Sequence, residues 1–176
     1  FHIGLDDTAD DLVIGKGSAL GTTTHMAFTE DGEVTKPLQP YVLVKPSGVQ
    51  SDIAVGSPVT IVWGTETYDV GANFATNTFT APVTGKYLIN YLVRLENVDT
   101  AASNYYIGLV TSNETFNISI YDPGGLSADI THFHLNGSLV AHMDAADTFY
   151  TAITQSSGTA QTDIGSSSYL SISLLS

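Results

Sequence analysis

One segment of the sequence, residues 79–95, constrains the fold more than any other part of the chain. From position 86 onward, apolar or aromatic side chains recur at every second position, which is the period of a half-buried β-strand. Just before it, Pro82 fixes one backbone dihedral and Gly85 is free to adopt positive φ, so a sharp turn is expected. The positions on the predicted buried face are Tyr87, Ile89, Tyr91, Val93 and Leu95.

The chain beyond Pro40 has the spacing of an all-β domain, because short apolar runs alternate with turn signals and no window has the pattern of an amphipathic helix. One such signal, Asn136-Gly137, predicts a two-residue hairpin. Many short strands separated by regularly spaced turns are typical of a sandwich or barrel. The predicted strands lie near 41–45, 59–65, 77–81, 86–96, 104–112, 115–121, 129–135, 138–143, 147–155 and 168–175.

Composition agrees with this expectation. Charged residues make up 13% of the chain, hydrophobic residues 43%, and there are 16 glycines, which favours an all-β protein with a surface hydrated by hydroxyls and amides. With 176 residues, the chain suits one domain of moderate size or one domain with a short extension. A domain of this size can bury a core without covalent staples.

The charge balance excludes two classes of partner. The net charge of −13 lacks the basic footprint that nucleic-acid binding requires, and it opposes docking on anionic lipid. The chain has no cysteine, which excludes disulfides, thiolate metal sites and thiol nucleophiles. No apolar run is long enough for a membrane-spanning helix. Because the chain begins with Phe1 and not Met, we expect it to be a fragment of a longer protein.

Residues 1–38 differ from the rest in their residue pattern. They are predicted to form a separate β-rich shaft or attachment segment, with residues 39–176 as the main domain. Short apolar runs alternate with Gly, Asp and Thr, and Glu30-Asp31-Gly32 is the clearest turn. A set of so few short strands cannot bury its own apolar faces. It must therefore pack against neighbouring structure or against further copies of the chain. The two prolines of the junction, Pro37 and Pro40, favour an extended connection.

The motif F-x-x-P-x-x-G-x-Y, formed by Phe79, Pro82, Gly85 and Tyr87, resembles the C1q/TNF-like globular heads. A preceding strand, a Tyr-Asp pair at 68–69 and a closing strand at 168–175 extend the resemblance from roughly residue 41 to the end. It implies a jelly-roll β-sandwich that assembles as a homotrimer. Residues 1–38 and their Pro-rich junction resemble the Gly-rich region that precedes C1q-like heads in bacteriophage fibre proteins.

Two tyrosines are predicted at the trimer interface. TNF-like heads pack around their threefold axis through apolar or aromatic residues on the second face of inner strands. Tyr150 faces away from Phe149 and Ile153, and Tyr106 lies on a neighbouring candidate inner strand. The other strand aromatics are expected in the core, namely Phe79, Tyr87, Tyr91, Phe116, Phe133 and Phe149, whereas the sequence leaves the place of Trp63 open.

Two groups of side chains raise the question of metal binding. His132 and His134 share one face of a predicted strand, and three such pairs around a trimer axis would offer six imidazoles to a transition metal. Solvent exposure is the preferred interpretation, because the resemblance places this strand on the outer sheet; His142, across the predicted hairpin, would lie nearby. The acidic cluster Asp6, Asp7, Asp10 and Asp11 lacks the spacing and glycine of a calcium loop. We therefore predict no metal and no cofactor.

No catalytic motif is present: the sequence lacks a G-x-S-x-G elbow, an H-E-x-x-H pair and a Walker loop. We therefore expect no enzymatic activity. The resemblance to bacteriophage fibre heads implies a virion structural protein, the trimeric head of a fibre or spike that recognises a host-surface protein or glycan. The loops around 47–57, 97–104, 122–128 and 156–166 are candidates for recognition. The alternatives are a capsid decoration or head-fibre protein that binds other virion proteins through residues 1–38, or a secreted C1q-like ligand or lectin.

Overall fold

The computed structural model describes the whole chain, Phe1–Ser176, as two compact units, Phe1–Pro40 and Tyr41–Ser176. The regular structure is almost entirely β-strand, and one turn of 3-10 helix at Pro123–Gly125 is the single helical element. No helix has the length and apolar character needed to cross a bilayer.

The first unit is a four-stranded antiparallel meander in which each strand pairs with the next. Its alternating sequence gives the sheet two distinct faces, one of which buries Val13 and Ala27. Leu20, from the loop after the second strand, lies against Gly4 on the first strand. The strands are β1 (His2–Asp6), β2 (Asp11–Lys16), β3 (Thr23–Phe28) and β4 (Val34–Thr35).

The second unit is a sandwich of two antiparallel sheets, as the sequence predicted. Sheet I has the order β13-β10-β16-β5-β7, with β15 paired to β10. Its strands are β5 (Tyr41–Lys45), β7 (Thr65–Val70), β10 (Gly85–Val98), β13 (Ile130–Met143), β15 (Asp163–Ile164) and β16 (Tyr169–Leu174). Sheet II has the order β12-β11-β14-β9-β8, with β6 paired to β14. Its strands are β6 (Val59–Thr60), β8 (Phe74–Ala75), β9 (Thr78–Thr80), β11 (Asn104–Thr111), β12 (Thr115–Tyr121) and β14 (Thr148–Ser156).

The core lies between the two sheets, and β10 contributes its complete inward face. Every alternate residue of that strand from Tyr87 to Leu95 is buried, which confirms the alternation seen in the sequence. Phe79 on sheet II meets Tyr87 edge to face, with 5.4 Å between the ring centroids. Each such aromatic or branched side chain contributes about 1.5–3 kcal/mol by leaving water, so this strand supplies much of the stability.

The predicted hairpin at Asn136-Gly137 is wrong, because β13 runs through both residues without a turn from Ile130 to Met143. The glycine serves packing instead. Gly137 lies opposite Tyr91 in the β10–β13 pairing, and a Cβ there would be 2.8 Å from the Tyr91 hydroxyl oxygen. It follows that His142 does not fold back toward His134, because the eight residue steps from one to the other span about 26 Å along the strand.

The predicted strand at 59–65 is regular only at β6, and the chain then leaves the ladder. Beyond β6, isolated hydrogen bonds connect the chain to its neighbours. The Ile61 amide donates to the Thr151 carbonyl, and the Trp63 amide donates to the Asn77 side chain. Trp63 itself is buried, and its indole donates to the Thr151 hydroxyl over 2.9 Å. Phe116 and Phe133, expected in the core, are only partly buried against its edge, where Phe133 stacks on Tyr121.

Candidate functional site

The motif residues Phe79, Pro82, Gly85 and Tyr87 form a structural corner at one end of the sandwich. Phe79 and Tyr87 are buried, and the Tyr87 hydroxyl donates to the Val83 carbonyl over 2.7 Å, which closes the turn that contains exposed Pro82. A Cβ on Gly85 would lie 2.6 Å from the Ser176 carbonyl oxygen, so only glycine lets β10 begin beside the last residues of the chain. These four residues therefore shape the fold and leave no group free for a ligand.

The outward face of sheet I is uncharged over its centre. Its neighbouring strands place three cross-strand rows there, and the rows contain apolar, aromatic, amide and hydroxyl side chains. Charged residues such as Lys86 and Arg94 stand only at the ends of the strands. We call this surface the sheet I face. Its central residues are Tyr41, Leu43, Tyr68, Val70, Leu88, Asn90, Leu92, Asn136, Ser138, Val140, Tyr169, Ser171 and Ser173.

A shallow cavity of about 470 Å³ opens on the sheet I face beside β10. Asn90, Ser138 and Ser171 supply amide and hydroxyl groups, while Leu92 and Tyr169 supply apolar surface. No charged side chain lines it. In a chain with a net charge of −13, two copies that met through this face would bring no charged side chains of its centre together.

A second depression lies on the outward face of sheet II, between Tyr106 and Tyr150. Gly108 on β11 pairs with Ala152 on β14, so the two smallest side chains form its floor. Tyr106 stands two residues before the glycine and Tyr150 two residues before the alanine, so the antiparallel strands place the rings at opposite ends of that floor. We call this depression the tyrosine groove. It has a volume of about 250 Å³, and Pro58, Val110, Thr115, Asn117 and Thr154 complete its lining.

The polar groups of the tyrosine groove have no partners within the chain. The hydroxyls of Tyr106, Tyr150 and Thr154 and the amide of Asn117 make no intramolecular hydrogen bond. Thr154 is only 4% exposed, yet it lines the groove. The Asn117 side-chain oxygen lies over the floor, 3.4 Å from where a Gly108 Cβ would be. None of these atoms is buried away from solvent, so water or a ligand can bond to them in the groove.

The groove was not found by sequence reasoning, although its two tyrosines were singled out. They were predicted at a trimer interface, and the structure places both on sheet II, half-buried and facing outward. That role stays a prediction. The signal that could have revealed the groove is the run of outward positions Tyr106, Gly108, Val110 and Tyr150, Ala152, Thr154, in which small residues interrupt larger ones on paired strands.

Asp99 fixes two of the predicted recognition loops to each other. Its carboxylate accepts hydrogen bonds from the amides of Ala101, Thr159 and Ala160, at 2.6–2.8 Å. The Ala160 amide is the largest of the effects that lower the pKa of Asp99, and burial of the carboxyl opposes it. Tyr105 donates its hydroxyl to the Asp99 carbonyl or the Thr162 hydroxyl. These hydrogen bonds therefore join the two loops to each other at Asp99.

The other lowered carboxyl pKa values also belong to loops, and that of Glu33 is lowered chiefly by the Thr29 hydroxyl. The Thr100 hydroxyl and amide lower the pKa of Asp129, and the Asp144 amide and Ser112 hydroxyl lower that of Asp147. Each carboxylate is occupied as an acceptor that fixes a turn. No lowered carboxylate is therefore a free general base.

The histidine pair lies on the exposed side of β13, while Phe133 and Leu135 face the sandwich. The expectation placed this strand on the sheet away from the assembly axis, whereas β13 is an edge strand of sheet I and the pair lies on the same side as the sheet I face. His132 pairs with Glu96 and His134 with Arg94 across the ladder, and those two partners form an ion pair with each other. No group of three or more His, Asp or Glu side chains in the chain is arranged to hold a metal ion.

The first unit has an apolar face of its own. Seven apolar side chains project from one side of the meander and pair across its four strands. The most exposed are Ile3 at 73% and Leu5 at 74%. We call this surface the N-terminal apolar face. Its members are Ile3, Leu5, Leu12, Ile14, Met26, Phe28 and Val34.

Comparison with known proteins supports the fold and nothing finer. No protein-family model matches the sequence, and no curated protein matches it. Among solved structures, the globular domain of zebrafish complement 1qA protein has a TM-score of 0.55 at 11% identity, covering 78% of this chain and 98% of that one. Murine APRIL has a TM-score of 0.55 at 14% identity, covering 78% and 99%. The chain therefore has a C1q/TNF-like jelly-roll fold.

Proposed function

We propose that this chain is the non-enzymatic trimeric head of a virion protein and that it recognises a host-surface protein or glycan. The observation that carries the assembly is the sheet I face. It is a broad uncharged surface with Leu88, Leu92 and Tyr169 partly exposed, on a strongly acidic chain. Such a surface is costly to leave in water and lets like-charged copies approach each other. Heads that share this fold assemble as homotrimers, which supports the number three.

Two features favour a structural particle protein. The N-terminal apolar face is an attachment surface on a unit distinct from the jelly roll. Its texture resembles the region that precedes C1q-like heads in bacteriophage fibre proteins. The lack of cysteine suits an assembly that does not depend on disulfides. The proposed location is the surface of an extracellular particle, and the proposed partners are two further copies and a host receptor, without nucleic acid or membrane.

The absence of enzymatic activity is supported by the carboxylates. Those with lowered pKa values are engaged in turns, and neither the cavity on the sheet I face nor the tyrosine groove is lined by an acidic or imidazole side chain. General acid–base chemistry needs such a group within reach of a bound substrate. A non-catalytic binding role therefore agrees best with the geometry.

A second candidate function, capsid decoration, is favoured by one observation, the exposed N-terminal apolar face. A decorating protein would bind other virion proteins through that surface and need no receptor. Leu5→Asp separates the two functions. A decorator loses binding to particles that lack the protein, whereas a receptor-binding head with this change still binds host cells and competes with intact particles for attachment.

Immunogold electron microscopy tests the virion assignment directly. Antibody raised against the chain should label the surface of particles from the source culture, at a projecting structure for a head or over the shell for a decorator. Label found only on secreted material free of particles would contradict both assignments and favour a soluble C1q-like ligand or lectin.

A further inference from the structure

We propose that the tyrosine groove on sheet II is a binding site for one neutral pyranose ring of a glycan, with Tyr106 and Tyr150 as its two walls. This inference rests on the proposed recognition function and gives it a location and a ligand class. The proposed site lies on the face of sheet II and not in the candidate loops, so paired strands hold its side chains in place.

The shape of the groove determines the size of the ligand. The floor is flat because Gly108 has no side chain and Ala152 has only a methyl group, and the two lie directly opposite each other. The volume of about 250 Å³ is below the range of about 300–1,000 Å³ that is usual for drug-sized ligands. A single sugar ring, with the rest of the glycan in solvent, fits a site of this size.

The chemistry of the lining determines the class of the ligand. Sugars present apolar C–H faces and a rim of hydroxyls, and this groove offers tyrosine rings together with hydroxyl and amide groups. The donors and acceptors are free, because Tyr106, Tyr150, Thr154 and Asn117 make no hydrogen bond inside the chain. Thr154 is only 4% exposed as a residue, so the surrounding strands hold its hydroxyl in place at the groove surface, where a ligand can bond to it in place of water.

The charge of the lining and of the chain selects a neutral ligand. No lysine, arginine, aspartate or glutamate lines the groove. The net charge of −13 repels sialylated or sulfated glycans, and nothing in the groove compensates for that repulsion. We therefore expect neutral hexosides and N-acetylhexosaminides to bind and anionic sugars not to bind.

The test measures binding of the methyl glycosides of glucose, galactose, mannose and N-acetylglucosamine to the full chain by saturation-transfer NMR, with sialyllactose as the anionic comparison. At least one neutral glycoside should bind. Gly108→Val fills the floor; its Cβ would lie 3.4 Å from the Asn117 side-chain oxygen, the nearest atom, and the melting temperature of the variant shows whether the fold persists. We expect this change to weaken binding at least tenfold. Gly48→Val, in a candidate recognition loop and open to solvent, is the matched control and should bind as the wild type does.

Thr154→Val gives a readout that a purely structural role would not produce. Because the hydroxyl has no partner, removing it should leave the melting temperature unchanged or raise it, while it weakens sugar binding several-fold. A melting temperature lowered by the change would show that the hydroxyl has a structural partner and would contradict the proposal.

Three outcomes overturn the proposal: no neutral glycoside binds, only sialyllactose binds, or Gly108→Val binds as the wild type does. Loss of binding in Gly48→Val alone would assign recognition to the loop and also contradict it. The solution mass is measured on the same samples. A trimer that binds no sugar removes this site and leaves the proposed assembly intact. A trimer that dissociates on Tyr106→Ala would instead assign the tyrosines to the subunit interface.

Discussion

Gly137 and Tyr91 face each other across β13 and β10, and the missing side chain of the glycine makes room for the tyrosine hydroxyl. That hydroxyl bonds to the Ser119 hydroxyl on β12 over 2.7 Å, and Ser119 donates in turn to the Asn136 carbonyl. The contact therefore links sheet I to sheet II at the edge of the sandwich. It explains why an Asn-Gly pair lies inside a straight strand.

Gly137→Ala is expected to destabilise the fold by about 1–3 kcal/mol, because the added Cβ would lie 2.8 Å from the Tyr91 oxygen and 3.0 Å from Ile118 Cγ2. Urea unfolding measures the loss. In Tyr91→Phe the hydroxyl is absent, so the added cost of Gly137→Ala should be smaller in that background. An equal loss of stability in both backgrounds would show that the Tyr91 hydroxyl is not the reason why position 137 requires glycine.

Gly85→Ala should be strongly destabilising, since its Cβ would meet both Leu174 Cδ1 and the Ser176 carbonyl at 2.6 Å. Backbone cannot rotate away as a side chain can, so the last strand must move, and we expect a loss of about 2–4 kcal/mol. Gly48→Ala is the control, because nothing lies within 4 Å of its Cβ. Equal melting temperatures for the two variants would contradict this role of the motif glycine.

Asp99 should make the fold sensitive to acid. Hydrogen bonds, chiefly from the Ala160 amide, place its pKa below the ordinary value of 3.8. The unfolded chain therefore takes up the proton first on acidification. The stabilisation is complete only well above the unfolded-state pKa of 3.8, and it is lost as the pH falls through that value toward the folded-state pKa.

Asp99→Asn should lower stability at pH 7 by about 2–3 kcal/mol and make the acid limb of the stability curve shallower. Denaturant midpoints between pH 2 and pH 7 measure both effects. Asp129 and Asp147 also have lowered pKa values, so part of the acid limb should remain. An acid limb as steep as that of the wild type would show that Asp99 does not titrate as described.

A charge placed on the sheet I face should disrupt assembly. Leu92→Asp puts a carboxylate at the centre of the uncharged rows, where it would repel or be desolvated between copies. We expect a fall in solution mass to that of one chain. Ile120→Asp, on an exposed outward position of sheet II, is the control and should leave the mass unchanged. If Leu92→Asp stays assembled, the copies meet through another surface.

The sequence predicted the sandwich well because period-2 alternation reports burial on one face of a strand, and β10 shows it over its whole length. It failed where a residue type serves two purposes. Gly137 was interpreted as a turn residue, whereas its role depends on Tyr91, 46 positions earlier in the chain. The tyrosine groove was also beyond reach, because its floor exists only when β11 and β14 pair in this register. Neither relationship is local in sequence.

The solution mass of the chain, measured by light scattering, tests the central claim of a trimeric head most directly. The account predicts a species at three times the chain mass of 18.6 kDa that does not change when a chelator is added. Dissociation by the chelator would assign the assembly to a metal, as the paired His132 and His134 on three copies would allow. A single-chain mass at all concentrations would contradict the proposed assembly.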